Sequence, residues 1–261
     1  MKEEFERTCL IFGRENVEKL FSSRVLVFGL GGVGSYVVEA LARSGVGAMD
    51  LVDNDRICLS NINRQLYALH STVGKFKADL ARERVLDINP DCKVLAFKTF
   101  FLPENSSLFD FSKYDYVVDC IDTVSAKIEI ILKAKEAGVP VISCMGAGNK
   151  SDPTLFRVAD ISKTSVCPLA RVMRRELFKR GIKDVKCLFS TEKTFCPKSD
   201  ETVVTCTEDS CDQEKKKSFG KVAPGSNAFV PPVAGLIIAG EVVKDLMSGK
   251  AAGGVTGAEP L

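Results

Sequence analysis

Gly29-Leu30-Gly31-Gly32-Val33-Gly34 follows an apolar run and opens a stretch with helical spacing. Glycines placed there let the backbone approach a phosphate and leave helix N-terminal N–H groups free to bind it. Nineteen residues past Gly34, Asp53 stands where an acid would hydrogen-bond a ribose. Both features suit nucleotides in general, and a dinucleotide dehydrogenase would share them. Asp53-Asn54-Asp55, Asn61-Ile62-Asn63-Arg64-Gln65 and Lys75-Phe76-Lys77 narrow the chemistry. A nicotinamide fold needs no Arg and Lys here. Transfer at an ATP α-phosphate does, because negative charge must be held while pyrophosphate leaves. Arg64 and Lys77 are the candidates. Asp122, in Asp119-Cys120-Ile121-Asp122, is a lone carboxylate of the kind that holds magnesium beside a triphosphate. Any one of these charges alone would read as a solvated surface residue; their combination argues for a site.

Other chemistries are poorly supplied. The cysteines fall at 9, 58, 92, 120, 144, 167, 187, 196, 206 and 211, and no two are three apart, so no CxxC pair exists to build a zinc knuckle. Scattered in this way they read as reduced, buried, small apolar residues. Cys206 and Cys211, with Cys196, sit in a polar stretch and keep reactivity open as the alternative. His70 is the single histidine. It rules out a His-rich metal site, would have to serve any Ser-His-Asp triad, and reads more simply as a helix-start residue.

The elements that must position these residues alternate in type. Residues 24–29, 48–53, 93–97, 116–120 and 139–144 are strand-like apolar runs, and 34–44, 75–88 and 125–137 carry helical spacing between them. Strand, helix, strand repeated this way predicts an α/β fold: a Rossmann-like, mainly parallel sheet with helices on both faces. Asp122 then ends the fourth strand, at the carboxyl edge where open α/β sheets bind ligands. Past Gly148 the pattern loosens. Residues 155–160 and 187–191 read as strands, 166–180 as a helix, and 233–247 as an apolar final helix. Residues 192–227 form a long loop with little periodicity, and 248–261 a frayed tail. The expected organisation is one domain, with a nucleotide-binding core over 24–148 and a substrate-binding part over 149–247.

At 45% apolar and 27% charged, the composition excludes wholesale disorder. The net charge of +2 excludes a uniformly basic coat, yet it conceals a bias. Residues 163–193 hold nine cations against three carboxylates, a net +6 on a remainder of −4. On the predicted helix, Arg171, Arg174 and Arg175, with Lys179 nearby, lie opposite the apolar stripe and make a phosphate-binding face, or else a solvated basic one. The apolar run at 229–240 is too short for a membrane span, which needs about 20 residues. The start lacks the layout of a secretory signal, so the expected location is cytoplasmic.

These residues meet in one family. GLGGVGSYVVEALARSGVG, LVDNDRICLSNINRQ, VGKFKADLARERVLDINP and VVDCIDTVSAK together resemble the ubiquitin-activating-enzyme-like superfamily of ThiF and MoeB. RTCLIFG, NINRQ, MGAGNKSDPT, CLFSTE and FVPPVAGLIIAGEVVKDL are similar to its branch of tRNA threonylcarbamoyladenosine dehydratases. The absence of CxxC pairs, which ThiF and MoeB types generally carry for zinc, agrees with that branch. The resemblance implies a ThiF/MoeB-like adenylation fold using ATP and Mg2+. The threonyl carboxylate of threonylcarbamoyladenosine, at position 37 of a tRNA, is adenylated; the carbamoyl group then closes a ring, and AMP and pyrophosphate are released. With Gly29, Gly31, Gly32 and Gly34 of the turn, it assigns Asp53 to the ribose, Asn61 with Arg64 to the phosphates, and Asp55 and Gln65 to the nucleotide. Lys77 is assigned to the α-phosphate and Asp122 to magnesium. It also implies a homodimer in which Arg7 reaches the neighbouring subunit's ATP, although Glu4 stands where many relatives have a first arginine. It leaves room for a monovalent cation and for cysteine desulfurase or sulfur-acceptor partners. The alternative within the superfamily is an adenylyltransferase acting on the C-terminal Gly-Gly of a ubiquitin-like sulfur carrier.

Overall fold

In the computed structural model of the chain, residues 2–195 and 224–249 are described. The centre of the molecule is strand β1, Arg24–Phe28, buried on both faces. Its side chains alternate: Val25 and Val27 enter one apolar core, Leu26 and Phe28 the other. β2 (Ala48–Val52) and β4 (Tyr116–Asp119) flank β1, both parallel to it. β3 (Lys93–Phe97) lies outside β2, and β5 (Val141–Cys144) outside β4. The chain winds outward from β1 on one side through β2 and β3, then returns to wind outward on the other. That reversal opens a crevice at the carboxyl ends of β1 and β4.

Two further strands extend the same sheet. β6 (Phe156–Asp160) and β7 (Lys186–Ser190) give the order β3-β2-β1-β4-β5-β7-β6. β7 pairs with β5 in parallel and with β6 antiparallel, so the edge is a reversed pair on an otherwise parallel sheet.

One face is covered by α3 (Gly34–Arg43), α4 (Lys77–Ile88) and α7 (Val230–Ser248), the other by α5 (Val124–Glu136) and α6 (Pro168–Phe178). Three of these helices start two or more residues away from the sequence expectation, each for a local reason. α4 starts at Lys77 because Phe76 is extended and bridges to Arg56. α6 starts at Pro168 because the residue before a proline is pushed out of the helical region; Cys167 is accordingly extended. α7 starts before rather than after Pro231 and Pro232, which occupy its first turn, where a missing N–H costs nothing.

The N-terminal segment also forms helices, α1 (Glu6–Phe12) and α2 (Arg14–Ser22), to which no sequence signal pointed. Phe5 is buried against Phe21 (ring centroids 5.2 Å apart), and Lys2 pairs with Asp91. These contacts fix the segment at the amino edge of β1, β2 and β3, opposite the crevice. No described helix is long and apolar enough to cross a membrane.

Candidate active site

The crevice is a cavity of about 720 Å³ at the carboxyl edge of the sheet, running from the glycine turn past Asp53 and Asp122 to Gly148 and Pro224. At its floor, Gly29 adopts φ +84°, and a Cβ there would meet the Cys120 carbonyl oxygen at 2.8 Å. A Cβ on Gly34 would overlap the Gly29 carbonyl. These two glycines close the turn against its neighbours. Gly31 differs: a Cβ would meet nothing nearer than Gln65 Nε2 at 3.7 Å. With Gly32 it lines the cavity at the N-terminus of α3, where a backbone can approach a phosphate.

Asp53 is held from two sides. Its carboxylate accepts the Leu30 N–H at 2.7 Å and the Asp55 N–H at 2.8 Å, joining the end of β2 to the glycine turn. Burial pushes the Asp53 carboxyl above its ordinary value, with Lys77 and the two backbone donors pulling the other way. Asp55 accepts the Lys77 ammonium at 2.8 Å, and Lys77 is itself almost fully buried at the start of α4. Asp53, Asp55 and Lys77 all line the cavity.

Arg64 and Gln65 line it from the segment after β2. The Arg64 guanidinium donates to the Ser60 carbonyl and to Asn63 Oδ1, both at 2.9 Å. Gln65 is buried, and its Oε1 has no hydrogen-bond partner among the described residues, an orphaned acceptor at the cavity wall. Asn61, expected as a nucleotide ligand, is buried, and its Oδ1 accepts the Cys58 N–H at 3.0 Å. It shapes the turn that carries Arg64. Nearby, Asn63 lines the cavity and donates to the Ser226 carbonyl at 3.2 Å and hydroxyl at 3.3 Å.

Asp122 is exposed and lines the cavity just past β4. Among the described residues no group of three or more His, Cys, Asp or Glu is placed to hold a metal ion. A lone carboxylate fits magnesium, which takes one or two carboxylates and completes its shell with water and substrate phosphates. Beneath Asp122 lies a buried ion pair that no sequence pattern announces, Lys127 with Asp119 at 2.8 Å. Cys120 also lines the cavity, but burial, with Cys144 and Asp119 adding to it, pushes its thiol far above the ordinary value. It is no thiolate nucleophile at neutral pH. Cys206, Cys211 and Cys196 lie outside the described residues.

The far side of the cavity is built from two motifs that sequence alone left separate. Glu192, just past β7, accepts the N–H of Ser151 at 2.9 Å and of Asp152 at 3.1 Å, and Lys150 donates to the Glu192 carbonyl at 2.8 Å. Asn149, at φ 55°, exchanges hydrogen bonds with Gly225. Ala147, Gly148, Pro224 and Ser226 thereby meet along one wall.

Other predicted residues lie away from this cavity. Arg7 is exposed on α1, two residues past Phe5 at the amino edge, and does not join the site of its own chain. His70 is exposed and opens a short 3-10 turn. On α6, Arg171 and Arg175 are exposed, but Arg174 is not on their face. It turns inward and donates to the Thr164 carbonyl at 2.8 Å and hydroxyl at 2.6 Å. Glu176 gathers Lys179, Arg180 and Arg175 at 2.9, 3.2 and 3.3 Å, and those bonds hold its carboxyl down at about 2. Lys186 is spent on Glu241 and Asp245, each at 2.8 Å. The +6 read along the chain is therefore not one surface. Lys215 to Lys217 and Lys221 lie outside the described residues.

Residues 5–257 match the ThiF family. A tRNA threonylcarbamoyladenosine dehydratase of Bacillus subtilis is 47% identical to the chain, covering 95% of it and 96% of the relative. The protein of that name in Escherichia coli is 34% identical, covering 95% and 94%. Crystal structures of the E. coli tRNA N6-threonylcarbamoyladenosine dehydratase superpose with TM-scores of 0.82 in complex with AMP and 0.81 in complex with ATP. These are 32% and 31% identical, and each match covers 95% of both chains.

Proposed function

The chain belongs to the ThiF family, and from that premise we propose that it is an ATP-dependent tRNA threonylcarbamoyladenosine dehydratase, working through adenylation of the threonyl carboxylate. The observation that carries this reading is the cavity itself. One opening joins a phosphate-approachable glycine, a ribose acid, two cations and a lone carboxylate to a further wall of small residues.

In the first step a threonyl carboxylate oxygen attacks the α-phosphorus of ATP, and the bond to the β-phosphate oxygen breaks. Gly31, Gly32 and the α3 N-terminus receive phosphate oxygens, and Asp53 accepts a ribose hydroxyl. Arg64 and Lys77 neutralise charge that grows on the α-phosphate and the departing pyrophosphate. Asp55 aims Lys77, as Ser60 and Asn63 aim Arg64. Magnesium, held by Asp122 and phosphate oxygens, would add further neutralisation there. In the second step the carbamoyl group attacks the acyl carbon, the bond to AMP breaks, and the ring closes. The carboxylate oxygen leaves on AMP, so the nucleoside loses the elements of water. This attack is intramolecular, and well-oriented cases reach effective molarities of roughly 10⁵–10⁸ M. Positioning by the cavity wall and neutralisation of the phosphates account for the reaction without invoking a cysteine nucleophile.

Residues 149–247 supply the tRNA side in this reading, with Arg171, Arg175 and Lys179 as phosphate contacts. The active form is a homodimer. Arg7 lies at the amino edge of the sheet, opposite its own cavity, and Leu10 and Ile11 beside it are 87% and 78% exposed, an apolar pair suited to a second copy.

The test is direct. The protein is incubated with ATP, magnesium and tRNA bearing threonylcarbamoyladenosine, and the gently digested tRNA is searched for the dehydrated nucleoside. Its appearance together with AMP is the expected result. AMP formation only when a Gly-Gly carrier protein is added would overturn the reading.

A further inference from the structure

Lys127 is fully buried in the first turns of α5, and so is Asp119 at the end of β4. Every donor of the Lys127 ammonium is used: Asp119 Oδ2 at 2.8 Å, the Cys144 carbonyl at 2.8 Å and the Ile121 carbonyl at 3.0 Å. Asp119 Oδ2 also accepts the Ser143 hydroxyl at 2.5 Å, and Oδ1 accepts the Ile121 N–H at 3.2 Å. The network is closed. Its output is Ile121, whose N–H and C=O are both fixed by the pair. Ile121 stands between Cys120, whose carbonyl lies against Gly29, and Asp122.

We propose that Lys127 and Asp119 are positioning residues for the nucleotide site, holding the 120–122 turn so that the Asp122 carboxylate is placed to take the magnesium ion that accompanies ATP. The proposal rests on the ATP reading of the cavity. Stability does not explain the pair. Uncharged residues of similar volume in place of a buried ion pair generally leave a fold as stable or more so, and the neighbouring strand positions Val117, Val118, Val141 and Ile142 are apolar. A turn at a cavity rim has another use for fixed charges. With no side chain anchoring Ile121, its peptide groups could hydrogen-bond to water in several orientations, and Asp122 would swing with them. Lys127 and Asp119 touch neither substrate nor metal; they act through Ile121, as outer-shell partners that orient a ligand.

Removing one charge alone strands the other in the core, so the variant of choice is the near-isosteric pair Asp119→Asn with Lys127→Met. ATP binding is measured by calorimetry with and without magnesium, beside thermal melting and AMP formation. Wild-type protein is expected to bind ATP more tightly with magnesium. The double variant should melt cooperatively, bind metal-free ATP within about twofold of wild type, and lose about 10–100-fold of the magnesium-dependent gain and of kcat. Ser143→Ala, which removes a single bond from the network, should lose a few-fold in the same quantity. A double variant with an undiminished magnesium gain overturns the proposal. One that no longer melts cooperatively assigns the pair to stability and overturns it too. Wild-type protein that binds no ATP overturns the nucleotide reading itself, a result distinct from either.

Discussion

The Glu192 carboxylate accepts the backbone N–H of Ser151 at 2.9 Å, across 41 residues of sequence. That bond, with those to Asp152 and the Ser151 hydroxyl, clamps the segment carrying Ala147 and Gly148 to the end of β7. Burial pushes the Glu192 carboxyl up, but these hydrogen bonds and the nearby Lys150 outweigh it and hold the carboxyl below its ordinary 4.5. A depressed carboxyl stabilises the fold fully above its unfolded value, and that contribution is lost as pH falls through the folded value. Glu192→Gln should lower stability by about 1–3 kcal/mol near neutral pH, where charge-assisted bonds are lost. Thermal melts at descending pH check it, because the gap between variant and wild type should narrow below about pH 4. A gap that stays constant would remove the carboxylate from the account.

Arg64→Ala and Asp122→Ala should each abolish AMP formation, by about 10²–10³-fold or more, the scale on which oriented charge at a transition state is lost. Both side chains sit at the cavity surface, so melting temperatures should stay near wild type. Retained turnover in both variants would dismantle the phosphate and metal assignments.

The glycines of the turn should separate by role. Gly34→Ala forces a methyl into the Gly29 carbonyl and should cost about 1–3 kcal/mol of stability. Gly31→Ala finds room in the protein and should melt normally. Its methyl occupies the space through which the backbone meets phosphate, so ATP affinity should fall by about tenfold. Calorimetry and melting on the two variants together make the distinction, and equal loss of stability in both would refute it.

Local signals carried most of the sheet from sequence. The alternation Val25, Leu26, Val27, Phe28 marks a doubly buried strand because successive side chains face opposite cores. Asp53 was legible because its place at the end of β2, at a set distance from the glycine turn, is fixed by the local strand–turn–helix geometry. Residue type alone did not show where the fold uses a polar group internally. Asn61 satisfies the Cys58 N–H and Arg174 the Thr164 carbonyl, bonds that form only once the chain has folded. Lys127 was hidden likewise, since a lysine at helical spacing reads as solvated until β4 and β5 close around it. The Glu192 clamp joins distant motifs, and only the insertion of β7 beside β5 brings them together.

The same spending of charge shapes the expectation for α6. Arg171→Glu with Arg175→Glu should reduce the salt slope of tRNA binding, by about 0.7–0.9 for each phosphate no longer neutralised, and leave ATP affinity unchanged. Arg174→Ala should instead lower the melting temperature, at a cost of about 1–3 kcal/mol, because its bonds to Thr164 disappear. Binding titrations over a salt series separate the two effects. A slope unmoved by the double reversal would take tRNA off this face.

Arg7 offers the sharpest test of assembly, because its position at the amino edge of the sheet sets it apart from the cavity of its own chain. If it completes the site of a second copy, Arg7→Ala and Asp122→Ala damage different halves of one composite site. Each homodimer should then be inactive. Mixing the two proteins under conditions that exchange subunits creates heterodimers in which one site carries both defects and the other carries none. Dehydratase activity should reappear on mixing, and in proportion to the heterodimer resolved by a tag on one variant. Substitution of Leu10 and Ile11 by polar residues should prevent the recovery by blocking association. A mixture that exchanges subunits yet stays inactive would show that Arg7 works within its own chain or not at all.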